Sequence, residues 1–220
     1  MGISIEFELL SETIFGNGQS LPGSIDIGVL HDEFGLPYFK GKTFKGKLRV
    51  EVNEIALIAE EINPKIKLSP FVDRMFGVPG SSYLDTFNTL KFSNCMLDEK
   101  IRQAIIYGIN KEIFTPAQVL NSLTSIRSFT SIDSDGIAED KSLRQARVID
   151  KGLKFETEIG TNREIEDIEF GLLAAGVRSL KHLGTMESRG KGEISAKLKI
   201  DGQNVTDKYI DIFAKEVNNN

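Results

Sequence analysis

Cysteine, histidine and tryptophan are scarce in this chain: among 220 residues there are one Cys, two His and no Trp. Cys95 alone cannot form an internal disulfide, and with only His31 and His182 beside it no Cys/His zinc cluster can be assembled. A reducing, cytoplasmic setting is the expectation. No window approaches the roughly 20 apolar residues of a membrane span, so no membrane partner is expected. The first residues, Met1 to Glu8, have neither the basic nor the apolar region of a signal peptide. No Ser/His/Asp arrangement, Walker loop or GxGxxG fingerprint occurs, which removes the usual nucleotide enzymes. Basic charge is in the minority, 27 Lys+Arg against 32 Asp+Glu for a net −5. Such a chain binds nucleic acid only through a local basic surface.

What is present is an ordinary globular composition, 40% hydrophobic and 27% charged. Ile3, Ile5, Phe7 and Leu9 alternate with Ser4, Glu6 and Glu8, the period-two pattern of a half-buried strand. A long glycine-containing loop, Ser11 to Ser24, precedes an extended piece from Ile25 to His31 and a turn at Asp32-Glu33-Phe34-Gly35. Phe44, Leu48, Val52, Ile55 and Ala59 predict an amphipathic helix from Thr43 to about Ile62, with Thr43 as N-cap. Asn63 to Ser82 reads as a connector because Pro64, Pro70, Gly77, Pro79 and Gly80 interrupt it. Leu90 to Leu97 and Gly152 to Ile159 read as strands, with short helices at Lys100 to Asn110 and Pro116 to Leu123. A strong helix, Glu164 to Leu183, a glycine turn, a strand through Ile194 to Ile200 and a short helix around Tyr209 and Phe213 complete the chain. The order predicts an α+β, ferredoxin-like, RNA-recognition-type β-α-β-β-α-β domain over residues 1–220 with long insertions.

The chemistry is concentrated in glycine-linked basic segments. Lys40-Gly41-Lys42-Thr43-Phe44-Lys45-Gly46-Lys47-Leu48-Arg49 carries Lys42, Lys45, Lys47 and Arg49 with no acid among them. Gly41 permits a turn into the helix, whose first free amides then add to the cations as an anion site. A second segment, Gly184 to Gly192, holds Arg189 and Lys191, and a third holds Arg144 and Arg147, with Arg127 preceding it. The plainer readings are a solvated helix face, a common glycine turn and a charge-compensated surface loop. Asp26, followed by Asp32-Glu33, lies between the first loop and the basic helix. A carboxylate among lysines holds a divalent ion or orients a nucleophile, or simply caps a turn. Tyr38, Phe39 and Phe129 are either base-stacking platforms or core residues.

Taken together, Ile25-Asp26, His31-Asp32-Glu33-Phe34-Gly35-Leu36-Pro37-Tyr38 and the Lys40 to Arg49 run resemble the first signature of the RAMP superfamily of CRISPR-associated proteins. Met75-Phe76-Gly77 is similar to its Phe-Gly element and Leu90-Lys91-Phe92-Ser93-Asn94 to the strand after it. Residues from about 125 to 150 resemble its thumb, and Gly184 to Gly192 its terminal glycine-rich loop. Two departures stand out: Lys40-Gly41-Lys42-Thr43 replaces the usual Pro-Gly-Ser-Ser, and the net charge is acidic. The resemblance implies a ferredoxin-like, guide-RNA-binding backbone-type subunit of a type III effector complex in antiviral defence, with the thumb pattern closest to type III-D. Its implied partners are CRISPR guide RNA, target RNA and other effector subunits. In members that slice target RNA an aspartate before the Gly-x-Pro element acts with a divalent metal such as Mg. Asp26 occupies that place, as catalytic and metal residue, with attack by the neighbouring ribose 2′-hydroxyl as the implied mechanism. The alternatives are a purely structural subunit without nuclease activity, or a binder of a small phosphorylated ligand using only the helix start at Thr43.

Overall fold

The computed structural model of the chain describes residues 1–16, 26–78, 88–130 and 143–219. Strand β1 (Ile3–Leu9) buries Ile3, Ile5, Phe7 and Leu9 on one face, as its alternation dictates. It lies at the centre of the main sheet, antiparallel to β6 (Lys154–Gly160) on one side and β7 (Ile194–Ile200) on the other, with Phe7 opposite both Phe155 and Ala196. Two short strands, β2 (Lys91–Phe92) and β3 (Met96–Leu97), extend the sheet beyond β6, and β8 (Gln203–Asn204) extends it beyond β7. Counting the β2/β3 pair as one interrupted strand, the four chain-order strands lie in space as 4-1-3-2, all antiparallel. This is the expected ferredoxin-like arrangement.

The continuous strand expected from Leu90 to Leu97 is interrupted because Asn94 and Cys95 serve another partner. Cys95 pairs with Phe39, and the Gly41 amide donates to Asn94 Oδ1 at 3.1 Å. Helix α1 (Gly41–Ile62) therefore begins two residues before the expected Thr43, with Lys40 at the cap position and no side-chain cap from Thr43. A Cβ on Gly41 would stand 2.1 Å from the Ser93 carbonyl oxygen, so glycine is what allows the helix start to press against the β2–β3 connection. Phe44, Leu48, Val52, Ala56 and Ala59 form the buried stripe of α1. Phe44 stacks on Phe7, whose ring also stacks on Phe155, joining helix to sheet through aromatic contacts at 5.5 to 5.7 Å.

The connector contains an unexpected helix, α2 (Ser69–Phe76): Pro70 sits in its first turn, where proline opens a helix instead of breaking it. Helices α3 (Glu99–Asn110) and α4 (Pro116–Leu123) fall where the sequence places them. Helix α5 (Asp167–Ser179) is shorter than the predicted Glu164–Leu183, since a capping box between Glu166 and Glu169 fixes its start and the chain turns away at Leu180. It is buried nearly all round because α1, β7 and α6 (Thr206–Asn219) all pack against it.

A separate antiparallel ribbon, β4 (Thr124–Phe129) with β5 (Arg144–Ile149), stands where the thumb was expected. Bridges from Thr13 to Ile149 and from Ile27 to Ala146 root it in the body, and a Ser125 Oγ to Asp150 hydrogen bond of 2.8 Å closes its base. The Asp/Ser-rich centre of that segment, residues 131–142, and most of the Ser11–Ser24 loop lie outside the described residues.

Candidate nucleic-acid interface

The glycine-rich loop is sewn to the segment that leaves β1. Thr185 donates to the Ile14 carbonyl at 3.1 Å, Gly192 donates to the Glu12 carbonyl at 3.0 Å, and the loop closes through Leu183 N to Gly192 O at 2.9 Å. Gly184 has φ +99°, and a Cβ there would meet the Ile14 oxygen at 2.6 Å, so this position needs glycine twice over. A single 3-10 turn, Glu187–Arg189, forms the loop's outer bend.

Four cations from three distant segments gather at this bend. Lys47 of α1 reaches Glu187 at 2.8 Å. The Arg189 guanidinium lies 5.9 Å from the centre of the Phe129 ring, so the face of Phe129 proposed for base stacking already carries a cation. Arg127 of β4 donates through Nε to Glu12 Oε1 at 2.8 Å and through Nη2 to the same oxygen, while Lys191 donates to Glu12 Oε2. Glu12 thereby bridges ribbon and loop. The Arg127 hydrogen bond, joined by that of Lys191 and outweighing partial burial, holds its carboxyl down at about 2.

The remaining predicted residues are placed differently. Lys45 turns inward and donates to the Leu90 carbonyl at 2.7 Å, and burial, with Arg49 nearby, pulls its pKa down. Arg49 pairs with Asp73 at 3.3 Å, tying α1 to α2. Arg147 is bound to Asn121 and Thr124 at the ribbon's root, whereas Lys42 and Arg144 are exposed. With the Gly41 amide committed to Asn94 and Lys45 to Leu90, the start of α1 is not the open anion cradle its sequence suggests.

Asp26 lies against the ribbon: its Oδ2 accepts from the Gln145 amide at 2.7 Å. Asp32, by contrast, is structural; it accepts from the Phe34 and Leu36 amides and pairs with Arg102 at 2.8 Å. Phe39 is core, 4.6 Å from Phe15, and Tyr38 is half-buried. Among the described residues no group of three His, Cys, Asp or Glu could hold a metal ion. Burial pushes the Cys95 thiol up to about 12, so it is not a nucleophile.

The open face of the sheet is a poor surface for RNA. It presents Ser4, Glu6 and Glu8 of β1, Lys154, Glu156 and Glu158 of β6, and Ser195, Lys197 and Lys199 of β7. None is aromatic, and Lys199 with Glu6 (2.7 Å) and Lys154 with Glu8 (3.6 Å) neutralise one another. A hollow of about 490 Å³ at one end of this face is lined by Asp98, Glu99, Glu156, Glu158 and Asp201, further disfavouring phosphate.

The sequence matches the model of the RAMP superfamily over residues 6–195. Among solved structures the fold is similar to a chain of "Cryo-EM structure of the Type III-B Cmr-beta bound to cognate target RNA", with TM-score 0.62 and 12% identity over 90% of this chain and 97% of that one. It is also similar to a chain of "Type III-B Cmr-beta Cryo-EM structure of the Apo state", with TM-score 0.61 and 13% identity over 92% of this chain and 99% of that one. No curated protein matches the sequence.

Proposed function

The chain belongs to the RAMP superfamily, and on that premise we propose that it is a guide-RNA-binding subunit of a type III CRISPR ribonucleoprotein complex, with target RNA and other effector subunits as its partners. The observation that carries this reading is the gathering of Lys47, Arg127, Arg189 and Lys191 at one bend, from segments far apart in sequence. Clustered cations on a net-acidic chain confine phosphate contacts to one locality, and tracking of a sugar-phosphate backbone needs no base-specific pocket. Both structurally similar proteins come from type III-B complexes, one bound to target RNA. The III-D character expected from the thumb pattern therefore does not enter the proposal. A binder of a small phosphorylated ligand is less well supported, because the helix start it would use is occupied by Asn94 and Leu90 contacts. Protein purified from cells that express a CRISPR array should carry RNA of uniform length; protein carrying a small nucleotide and no RNA would overturn the reading.

A second reading adds cleavage of the bound target, and the placement of Asp26 against Gln145 of the ribbon favours it. Asp26 is the residue that would hold a magnesium ion. A single carboxylate, one oxygen of which already accepts from the Gln145 amide, would hold magnesium only where substrate phosphates and waters complete the shell. Bound there, the metal would supply charge stabilisation at the phosphate. In the assembled complex with magnesium, Asp26→Ala should retain RNA and lose cleavage, read on a denaturing gel. Cleavage at the wild-type rate would remove Asp26 from the mechanism.

A further inference from the structure

Every cation at the bend except Arg189 is held by a carboxylate of the same chain. Lys47 has Glu187, while Arg127 and Lys191 share Glu12. The Glu12 pairing is the most enclosed of these, with side-chain exposures of 18% for both Glu12 and Lys191. Arg127 remains 50% exposed, and only its Nε and Nη2 are turned toward Glu12. Glu12 therefore subtracts one charge from the very place where a polyanion would land, and it leaves Arg127 half exposed.

We infer that Glu12 is a specificity-determining residue, an internal counter-ion that withholds Arg127 and Lys191 from polyanions at large. The inference rests on the RNA-binding reading given above. A diffuse polyanion gains little at this position, because each phosphate or sulfate drawn to Arg127 or Lys191 is also repelled by Glu12 a few ångströms away. A strand that brings a phosphate to the exposed side of Arg127, while Arg189 and Phe129 take its neighbouring groups, recovers that loss through geometry. Discrimination then comes from penalising the wrong ligand as well as from binding the right one. Nothing in the local sequence marks Glu12; its role appears only when ribbon and loop are brought to it by the fold.

The test uses the purified full chain, with heparin as the generic polyanion and a guide-length single-stranded RNA as the ligand, each titrated over a range of salt. Glu12→Gln keeps the side-chain shape and removes the charge. It should tighten heparin binding about fivefold and steepen its salt slope by about 0.7, the release expected from the one charge that Glu12 subtracts, while RNA affinity changes less than about twofold. Glu12→Asp should return heparin affinity toward the wild-type value. Unchanged heparin binding, or equal weakening of heparin and RNA as expected of a simple structural brace, would overturn the inference. Should Glu12→Gln not fold, Arg127→Gln in the otherwise native chain decides the matter. Loss of that cation should lower RNA affinity at least about threefold more than heparin affinity, and an equal drop for both refutes the idea. A native chain that does not bind the guide-length RNA would instead refute the RNA-binding reading itself, whereas one that binds RNA no better than heparin refutes the discrimination by Glu12.

Discussion

Replacing Glu169 with alanine is expected to lower the unfolding free energy by about 3–5 kcal/mol, the range for breaking a buried charge network by removing one partner. Glu169 is fully buried in the first turn of α5. It accepts from Arg163 through both oxygens at 2.6 and 2.7 Å, from Arg74 Nε at 3.0 Å and from the Glu166 amide at 3.0 Å. Its loss leaves two guanidinium groups facing a buried void, and it unties α2, residues 161–166 and α5 from one another. Urea denaturation monitored by circular dichroism should show the change, with a melting temperature lower by about 10 °C or more. A loss under about 1 kcal/mol would mean that the network is replaceable by water.

The pH dependence has a definite sign. Burial alone would raise the carboxyl pKa of Glu169, but the Arg163 hydrogen bonds, the Glu166 amide and the charge of Arg74 together bring it below the ordinary value of 4.5. The group therefore contributes stability that is complete above the unfolded-state value and is lost as pH falls through the lowered folded-state value. Glu12 behaves alike, between 4.5 and about 2. Acid unfolding of the native chain should thus steepen below about pH 4.5. Glu169→Gln should make that descent shallower, because one of the protons taken up on unfolding is no longer there to be taken.

Much of the frame was legible because its signals are local. The alternation in β1 and β7, the stripe of α1 and the punctuation around α3 and α4 each record which side of a short segment meets the core. What escaped depends on residues distant in sequence. Thr43 fails as a cap since Asn94, 53 residues beyond Gly41, takes the first amide of the helix. The strand at Leu90–Leu97 divides because Cys95 pairs with Phe39 and Ser93 lies under Gly41. Pro70 was read as a breaker although it opens α2. At the candidate interface the basic segments were visible as composition, but the division of labour among them was not. Lys45 turns to the Leu90 carbonyl and Arg49 to Asp73 of α2, whereas Lys47, sharing the same run, reaches Glu187 of the glycine-rich loop. Helical rotation of 100° per residue separates such neighbours, and only tertiary packing decides which of them remains at the surface.

The second large effect concerns that surface. A variant with Lys47, Arg127, Arg189 and Lys191 all replaced by glutamine should bind single-stranded RNA about a hundredfold more weakly at moderate salt, since it forfeits the phosphate contacts of four cations. Glutamine is shorter than lysine or arginine and uncharged, so Glu12 loses the pairing that holds its carboxylate down and the melting temperature is expected to fall; affinities are therefore compared at a temperature where every protein in the comparison is folded. A matched control, Lys154→Gln with Lys197→Gln, removes cations from the open face of the sheet, the surface on which RNA-recognition folds display stacked bases. It should bind as the native chain does. If this face carried the RNA, the control would be the weakened variant.

The most direct measurement is the slope of log affinity against log salt for these three proteins with one guide-length RNA. The account predicts a slope shallower by about two to three for the four-residue variant and unchanged for the sheet-face control. The same slope in the four-residue variant as in the native chain, or a flattened slope in the control, would contradict the placement of RNA at the bend between α1, β4 and the glycine-rich loop.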